Sequence, residues 1–451
     1  MRVGEILQSF GQPKRGEESE RQAIDLLEKL VAQFPGRPEY REDLAYCYYW
    51  LAYLFSHSGP PEEAAHVRQQ SLSQYQKLVS DFPTVPKYRK QLADCQSQLG
   101  WALKDLRPKE AEKHCRQALA AWDRLAIDFP KEPVDRAALS FSHEWLGSVL
   151  MATGQFQEAE FHLLQALRLR QQAGGGPGDL AYFRAHVGDL FYQTGRPAEA
   201  EKYYRLAVEA RQNAARDFPN AVAEDQRRLE LEYASWGFTL FALGRTQEAE
   251  DALRRRLTLV RKLASDHPGT PPFPNHLTWA SYDLGLLLQA TGRPEEAAEL
   301  FRGGISALEE LAAKPPDNAS DKIEASWALS ICPAPQFRDP SRAVAFAKQG
   351  LQRFPVKPNN WRNLGVAEYR LGEWQAAIDA FRKANELENG AENWDLFFLA
   401  MAHWQLGDKG RAGKLYEQGV HWMEKNRPGD ILVKSFRDEA AILLGVKEQR
   451  K

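Results

Sequence analysis

Apolar and small residues recur at helical spacing in the segment 361–384. Trp361, Leu364 and Gly365 stand at positions i, i+3 and i+4, and Ala377 follows Gly365 by twelve residues. This spacing predicts two amphipathic helices that are joined by a short turn, with the glycine and the alanine where the two helices approach most closely. One such hairpin leaves an apolar face uncovered, so the pattern predicts further hairpins stacked beside it.

The same spacing between a small residue and an alanine recurs along most of the chain. It is found at Ala52 and Ala64, Gly147 and Ala159, Gly188 and Ala200, Gly237 and Ala249, Gly285 and Ala297, and Ala400 and Ala412. The pair Gly100 and Ala111 is one residue closer, and the pair Ala328 and Ala343 is three residues farther apart. We therefore predict nine hairpins and an all-α fold.

A second marker separates the hairpins of the first two thirds of the chain. It lies at residues 33–35, 81–83, 128–130, 217–219 and 266–268, where Phe34, Phe82, Phe129, Phe218 or His267 precedes a proline. Proline disfavours helix at the residue before it and is favoured near a helix start. Each marker is therefore expected to end one hairpin and to open the next.

The distance between equivalent small residues changes along the chain. The steps from Ala52 to Gly285 are 48, 47, 41, 49 and 48 residues, whereas the step from Gly365 to Ala400 is 35 residues. The longer step adds about two turns to each helix, since a helix has about 3.6 residues per turn. The predicted segments are extended hairpins at 33–330 and, after an irregular unit, hairpins of ordinary length at 331–422.

The two ends of the chain are predicted separately. Residues 1–32 fit the same frame as a first hairpin, but only three residues precede Gly4. Either this is a truncated hairpin that acts as a cap, or the chain was cut from a longer polypeptide. A cap normally has a polar outer face, so the apolar Ile6, Leu7 and Phe10 favour the second alternative.

The C-terminal segment 423–451 is predicted to be a capping helix followed by a tail. Leu432, Phe436, Ala440 and Leu443 fall on one helical stripe within it. Such a stripe would pack against the last hairpin of the array.

Composition restricts the class of partner. Lys and Arg together number 59 and Asp and Glu number 61, so the chain is nearly neutral. Neither nucleic acid nor an anionic membrane is therefore expected as a partner. The first residues contain no apolar core of signal-peptide length, and nowhere do eighteen apolar residues run together. We expect a soluble, cytoplasmic protein.

Catalytic and metal-binding motifs are missing from the sequence. The ten histidines are scattered, and there is no HExxH or Cys-x-x-Cys motif and no serine in a nucleophile-elbow context. The sequence therefore predicts no enzyme activity, no metal and no cofactor. Cys47 and Cys95 take equivalent places in successive hairpins, roughly 10 Å apart and beyond disulfide reach, and are expected to be packing residues.

The hairpin at 361–384, with its turn at Leu371-Gly372-Glu373, resembles the tetratricopeptide repeat, which occurs in stacked arrays. The resemblance implies an α-solenoid, a right-handed superhelix in which the first helix of each hairpin lines the inner, concave side. The long units with their LA-x-DFP joint, and above all the segment 339–445, resemble extended repeats found in certain bacteria behind serine/threonine protein kinase or sigma-factor-like domains. That likeness implies a sensing or docking array attached to a signalling enzyme. The chain lacks the kinase motifs VAIK, HRD and DFG, so it is not expected to carry kinase activity itself.

Aromatic residues are concentrated on one stripe of the first helices. The stripe comprises the positions six before, three before, one after and four after the small marker residue. In the eight hairpins with unambiguous register, 15 of these 32 positions are aromatic, against 11% aromatic residues in the whole chain. They are Tyr46, Tyr49, Tyr53, Trp101, Phe141, Tyr182, Tyr192, Phe238, Phe241, Trp279, Tyr282, Tyr369, Trp394, Phe397 and Trp404.

The stripe predicts a surface that binds a partner protein or peptide, because tyrosine and tryptophan offer apolar area with a polar tip. The candidate binding residues are Tyr46, Tyr49, Tyr53, Trp101, Tyr182, Tyr192, Phe238, Phe241, Trp279, Tyr282, Arg362, Tyr369, Trp394 and Trp404. The alternative is that these rings fill the gaps between neighbouring long hairpins. Two functions follow: a non-catalytic interaction scaffold, or the regulatory C-terminal part of a kinase or sigma-factor-like protein.

Overall fold

The computed structural model describes residues 13–58, 61–130, 135–217, 222–266, 273–313, 319–387, 393–426 and 430–446. Within these ranges the chain forms 20 α-helices and one short 3-10 turn, and it contains no strand. The predicted all-α fold class is confirmed. Residues 1–12 of the predicted first hairpin and the markers at Phe218 and His267 lie outside the described residues.

The helices follow one another with short connections. They are α1 (Pro13–Gln33), α2 (Pro38–Ser58), α3 (Pro61–Asp81), α4 (Pro86–Leu103), α5 (Pro108–Asp128), α6 (Arg136–Ala152), α7 (Phe156–Gln172), α8 (Pro177–Gln193), α9 (Pro197–Asp217), α10 (Val222–Ala242), α11 (Thr246–Asp266), α12 (Phe273–Ala290), α13 (Pro294–Ala312), α14 (Ala319–Ile331), α15 (Pro340–Arg353), α16 (Pro358–Leu371), α17 (Trp374–Leu387), α18 (Asp395–Gln405), α19 (Lys409–Asn426) and α20 (Ile431–Leu444). Each even-numbered helix from α2 to α18 is the first helix of a hairpin, and the next odd-numbered helix is the second.

Proline begins many of these helices. Pro86, Pro108, Pro340 and Pro358 each occupy the first turn of their helix, where a missing N–H costs no intrahelical hydrogen bond. Turns after a first helix often end in a left-handed glycine, such as Gly372 with φ 89°, which L side chains rarely adopt. Local sequence therefore sets both ends of the hairpins.

The small residues at the predicted crossings lie where the two helices of a hairpin touch. Ala249 and Ala377 are fully buried. A Cβ atom built at Gly285 would stand 2.6 Å from Cε1 of Phe301, and one at Gly365 would stand 2.8 Å from Cε1 of Phe381. Glycine therefore lets an aromatic ring of the second helix pack directly on the backbone of the first.

Contacts between Cα atoms group the chain into two compact units, Met1–Leu190 (unit 1) and Phe191–Lys451 (unit 2), and the boundary falls inside α8. Helices α1 to α13 contain 17 to 21 residues, whereas α14 to α20 contain 11 to 18. The segment limits inferred from the repeat spacing remain predictions. In the described part of the chain, no helix combines the length and the apolar character that crossing a membrane would require.

The C-terminal helix α20 has well-defined ends. The Asp430 side chain accepts a hydrogen bond of 3.0 Å from the backbone N–H of Val433 and so caps the first turn. Gly445 ends the helix with a positive φ of 68°, the usual role of a glycine after a helix. Phe436 and Ala440 of the predicted stripe are buried, whereas Leu432 and Leu443 are half-buried; Val433, Ala441 and Leu444 are buried beside them.

Candidate functional site

Two of the fourteen candidate residues lie in the interior of unit 2 and not on an accessible surface. Tyr282 is 1% exposed, and its hydroxyl donates a 2.8 Å hydrogen bond to the carbonyl of Ala328 in the next hairpin. Arg362 is 0% exposed, and its Nε donates a 3.0 Å hydrogen bond to Oδ2 of Asp395, also in the next hairpin. The prediction that these two side chains contact a partner is wrong.

The position three before the small residue explains both errors. Ser97, Glu144 and Phe397 take this position in other hairpins, and all three are buried. The Ser97 hydroxyl donates to the Ser142 hydroxyl at 2.8 Å, and Glu144 accepts a 3.1 Å hydrogen bond from the Tyr182 hydroxyl, each across to the next hairpin. In these hairpins the position packs first helices against one another, whereas Tyr49 takes the same position on α2 and is half-buried.

In unit 1 the aromatic candidates contact one another. Tyr46, Tyr49 and Tyr53 on α2 are half-buried and surround Trp50, with ring centroids 5.2 Å apart for Trp50 and Tyr53. Trp101 on α4 is 38% exposed, and the Lys104 ammonium lies 5.0 Å from its ring centre. The four rings of α2 thus form a cluster along one helix.

Tyr182 belongs to a polar cluster around the buried Glu144. The Glu144 carboxylate pairs with Nδ1 of His186 at 2.6 Å and accepts a hydrogen bond from the Ser148 hydroxyl at 2.8 Å. Burial lowers the pKa of His186, but the adjacent Glu144 carboxylate outweighs it, and the pKa is raised overall. The tyrosine ring, 4.3 Å from the His186 ring, covers this cluster.

The remaining candidates lie in unit 2. Tyr192, Phe238, Phe241, Tyr369 and Trp404 are half-buried. Tyr369 packs edge-on against Phe398 at 5.6 Å, and burial raises the pKa of its hydroxyl to about 12. Trp404, near the end of α18, carries the Lys409 ammonium 4.9 Å from its ring centre. Trp279 and Trp394 are also half-buried and line one cavity.

That cavity, the tryptophan cavity, has a volume of about 580 Å³. It is lined by Trp279, Ile323, Glu324, Trp327, Phe354, Lys357, Asn359, Asn360, Asn363, Trp394 and Leu432. The Trp279 indole N–H donates a 3.0 Å hydrogen bond to the Glu324 carboxylate, and the Trp327 and Trp394 rings lie 5.2 Å apart. Burial raises the pKa of Glu324 even though this hydrogen bond acts in the opposite direction.

Amide side chains form the polar wall of the tryptophan cavity. Asn360 donates 3.1 Å to the carbonyl of Phe354, Asn363 donates 3.4 Å to the carbonyl of Ile323, and Asn359 accepts from Nη1 of Arg362 at 3.1 Å. These bonds fix the amides beside the indole rings. A wall that mixes held amides with aromatic area suits a peptide, whose backbone needs donors and acceptors.

The sequence pattern missed Trp327, which is central to the cavity. Trp327 stands one before Ala328, which is not a stripe position, and its hairpin, with the longer interval from Ala328 to Ala343, was also left out of the count. The pattern also missed that α20 reaches this surface, where Leu432 lines the cavity. The available signal was the tryptophan next to the small residue of an irregular hairpin.

The described residues contain no group of three or more His, Cys, Asp or Glu side chains placed to hold a metal ion. Burial raises the pKa of the Cys95 thiol to about 11 and that of the Cys115 thiol to about 12. Protonated thiols of this kind are poor nucleophiles and poor metal ligands.

Three segments of the chain match models of the tetratricopeptide repeat, at residues 137–213, 278–302 and 336–392. The comparison with curated proteins gave no match. The apo form of RapI is 12% identical over 86% of this chain and 95% of its own, with a TM-score of 0.50. The apo quorum sensor NprR from B. thuringiensis is 13% identical over 85% of this chain and 100% of its own (TM-score 0.47), and BtubC from P. vanneervenii is 19% identical over 57% and 94% (TM-score 0.45).

The likeness to RapI concerns the fold alone, because the sequences are so different. The repeat matches cover hairpins in both units and agree with the spacing of the small residues. The chain is therefore an all-α protein of stacked helical hairpins, three segments of which match the tetratricopeptide repeat.

Proposed function

We propose that this chain is a non-catalytic scaffold that binds a partner protein or peptide on the A-helix face of unit 2. The A helix is the first helix of a hairpin. We define the A-helix face as the side of α10, α12, α14, α16 and α18 on which the stripe residues of unit 2 and Trp327 lie. The observation that carries the proposal is the tryptophan cavity. Three half-exposed indole rings meet there beside three asparagine amides and one lysine.

The size and chemistry of the cavity support a peptide. Its volume of about 580 Å³ lies in the range of pockets that bury a few side chains, roughly 300 to 1,000 Å³. Tryptophan dominates binding hot spots because it buries a large apolar area and still offers an N–H donor. Glu324 and Lys357 have opposite charges, which gives no preference for a polyanion such as nucleic acid.

Replacing Trp327 with alanine tests this proposal. The variant removes one indole wall, so we expect capture of the partner from a lysate of the source cells to fall at least about thirtyfold, the effect of a hot-spot residue. Trp279→Ala should act in the same direction, and quantitative mass spectrometry of the captured proteins measures both. Helical circular dichroism should be unchanged, because both rings are half-exposed.

Phe161→Ala is the matched control. Phe161 is a large aromatic residue on the second helix α7, 56% exposed and remote in sequence from the cavity. Its replacement should leave capture unchanged. The proposal fails if both tryptophan variants capture the same proteins as the wild-type chain with the same yield.

The second candidate function is the regulatory or sensing C-terminal part of a serine/threonine protein kinase or sigma-factor-like protein. It is favoured by the resemblance of the segment 339–445 and of the long units to bacterial arrays of that kind. A bacterial, cytoplasmic signalling role belongs to the same proposal. The coding sequence in frame with Met1 and upstream of it tests the link, and a stop codon directly before Met1 would contradict it.

A further inference from the structure

Helix α20 lies across the A-helix face of unit 2 and does not only close the end of the last hairpin. The Phe436 ring is 5.6 Å from Trp394 and 4.9 Å from Phe398 on α18, as a capping helix would require. It is also 6.3 Å from Trp327 on α14, two hairpins earlier. Hairpins of a helical-repeat array normally contact only their neighbours, so this longer reach sets α20 apart.

The side of α20 that meets the first helices is apolar. Val433, Phe436, Ala440 and Leu444 are all buried, and Phe436 is 2% exposed. Ile442, on the opposite side of the same helix, is 83% exposed. This pattern is that of an amphipathic helix laid into a groove, which is read through anchors about one turn apart.

One ion pair fixes the register of α20. Glu439 accepts hydrogen bonds from both terminal nitrogens of Arg370 on α16, with 2.7 Å between Nη2 and Oε2. Nε of the same guanidinium donates 3.1 Å to the carbonyl of Ser330 on α14, so the arginine is held in place from the other side. A bidentate arginine pair carries directional information as well as energy. The face therefore recognises a carboxylate at one defined place.

Open space flanks α20 on both sides. Leu432 lines the tryptophan cavity. A second cavity of about 400 Å³ is lined by Ile431, Lys434, Ser435 and Asp438 of α20 and by Phe241, Ala242, Leu286, Gln289, Ala290 and Pro333. An element with incomplete packing on both flanks opens more readily than a hairpin helix with a filled interface.

We infer that the A-helix face of unit 2 accepts an amphipathic helix of a partner protein in the place of α20. The partner helix carries an aromatic side chain where Phe436 lies and a carboxylate three residues later, where Glu439 lies, to meet Arg370. Helix α20 occupies this face until the partner helix displaces it. The inference rests on the proposed function, since it names the class of partner that the same face binds.

The tether determines how strongly α20 competes. A helix joined to its own groove has an effective concentration in the millimolar range. A partner helix of equal intrinsic affinity therefore binds only those wild-type molecules in which α20 is undocked. Its apparent Kd is the intrinsic Kd divided by the undocked fraction. Weakening α20 without changing the face should restore the intrinsic affinity.

The experiment uses the full-length chain and a fluorescent peptide that corresponds to residues 430–446. In the variant Phe436→Asp the α20 of the chain itself loses its anchor. We expect the peptide to bind this variant at least about tenfold more tightly than the wild-type chain, measured by fluorescence anisotropy. A peptide that carries the same Phe436→Asp change should not bind. Ile442→Asp, on the exposed side of α20, is the matched control and should behave as the wild-type chain.

Three results would overturn the inference. The first is no peptide binding to a Phe436→Asp chain whose helical circular dichroism is unchanged. If that variant does not fold, amide hydrogen exchange of the wild-type chain is measured instead. Equal protection of the amides of α20 and α18 is the second result that would overturn the inference. The third is a wild-type dimer in light scattering that Phe436→Asp converts to a monomer, because the occupant would then be a second copy of the chain.

The outcomes also separate this inference from the proposed function. If Trp327→Ala lowers partner capture but the peptide does not bind, only the inferred partner helix is refuted. If the peptide binds but the Trp279→Ala and Trp327→Ala variants capture the partner normally, only the proposed site is refuted.

Discussion

The aromatic stripe has different neighbours in the two units. In unit 1 the rings of α2 contact one another around Trp50, and Trp101 is 38% exposed. In unit 2 the rings of Trp327 and Trp394 contact Phe436 of α20. The same sequence pattern therefore gives an aromatic surface in unit 1 and the surface on which α20 packs in unit 2. On our proposal, aromatic enrichment marks a face that can be bound, and the occupant depends on residues outside the repeat.

The polar groups in the two interiors differ as well. Unit 1 places imidazoles next to one another: Nδ1 of His143 is 2.8 Å from Nδ1 of His162. Unit 2 buries arginine–carboxylate pairs, with Arg211 to Glu232 at 2.8 Å, Arg256 to Glu230 at 2.7 Å and Arg362 to Asp395 at 3.0 Å. The stability of unit 1 should therefore respond to mildly acidic pH, and that of unit 2 to the loss of a charge partner.

The largest expected effect on stability is that of Arg362→Ala. The change leaves the Asp395 carboxylate, which is 0% exposed, without its guanidinium partner. Breaking a buried pair in this way typically costs about 3 to 5 kcal/mol. Urea unfolding followed by circular dichroism measures the loss.

Arg382→Ala is the matched control for the buried arginine. Arg382 pairs with Asp379 one turn earlier on α17, and both side chains are more than half exposed. Its removal should change stability by less than about 0.5 kcal/mol. Equal effects of the two substitutions would contradict the contrast between a buried and an exposed pair.

A smaller effect is expected from His143→Asn in unit 1. Burial, together with the neighbouring His162, lowers the pKa of His143 to about 4. The unfolded chain therefore binds more protons between pH 6.5 and pH 4, and the stability of the folded chain falls as the pH falls through this range. At pH 5 this one group costs at most about 2 kcal/mol.

Asparagine does not titrate and can still form a hydrogen bond with His162. The difference in urea midpoint between pH 7.5 and pH 5.0 should therefore be smaller in His143→Asn than in the wild-type chain. A pH dependence that the substitution leaves unchanged would show that other groups dominate acid unfolding. Replacing Arg362 in unit 2 should not change the pH dependence in this way, because arginine keeps its charge over this pH range.

Sequence spacing predicted the hairpins well because the relevant interactions are local and repeated. Glycine at 285 or 365 and an aromatic ring sixteen residues later must meet wherever two helices of this length cross. Tyr282 and Arg362 were misplaced because helical spacing does not distinguish a position that faces solvent from one that faces the next hairpin. Which of the two holds depends on the rotation between hairpins, and spacing alone does not define that rotation.

Two other features had no repeat signal. Arg256 takes a position of the second helix that is small in other hairpins, such as Ala118 and Gly304, and its charge is met by Glu230 and Asp283. A buried arginine occurs at this position in one hairpin only, so the repeat pattern of the sequence could not predict it. The position of α20 depends on contacts of Phe436 and Glu439 with hairpins that are distant in sequence. Such contacts are set by tertiary packing and not by local pattern.

The most direct test of the central claim is a photocrosslinking measurement in lysate of the source cells. Benzoylphenylalanine is placed at position 363, in the wall of the tryptophan cavity, and separately at position 161 on α7. We predict a crosslinked partner protein from position 363 only, with the crosslink in an amphipathic helix of that partner. A partner crosslinked from position 161 and not from position 363 would contradict the account.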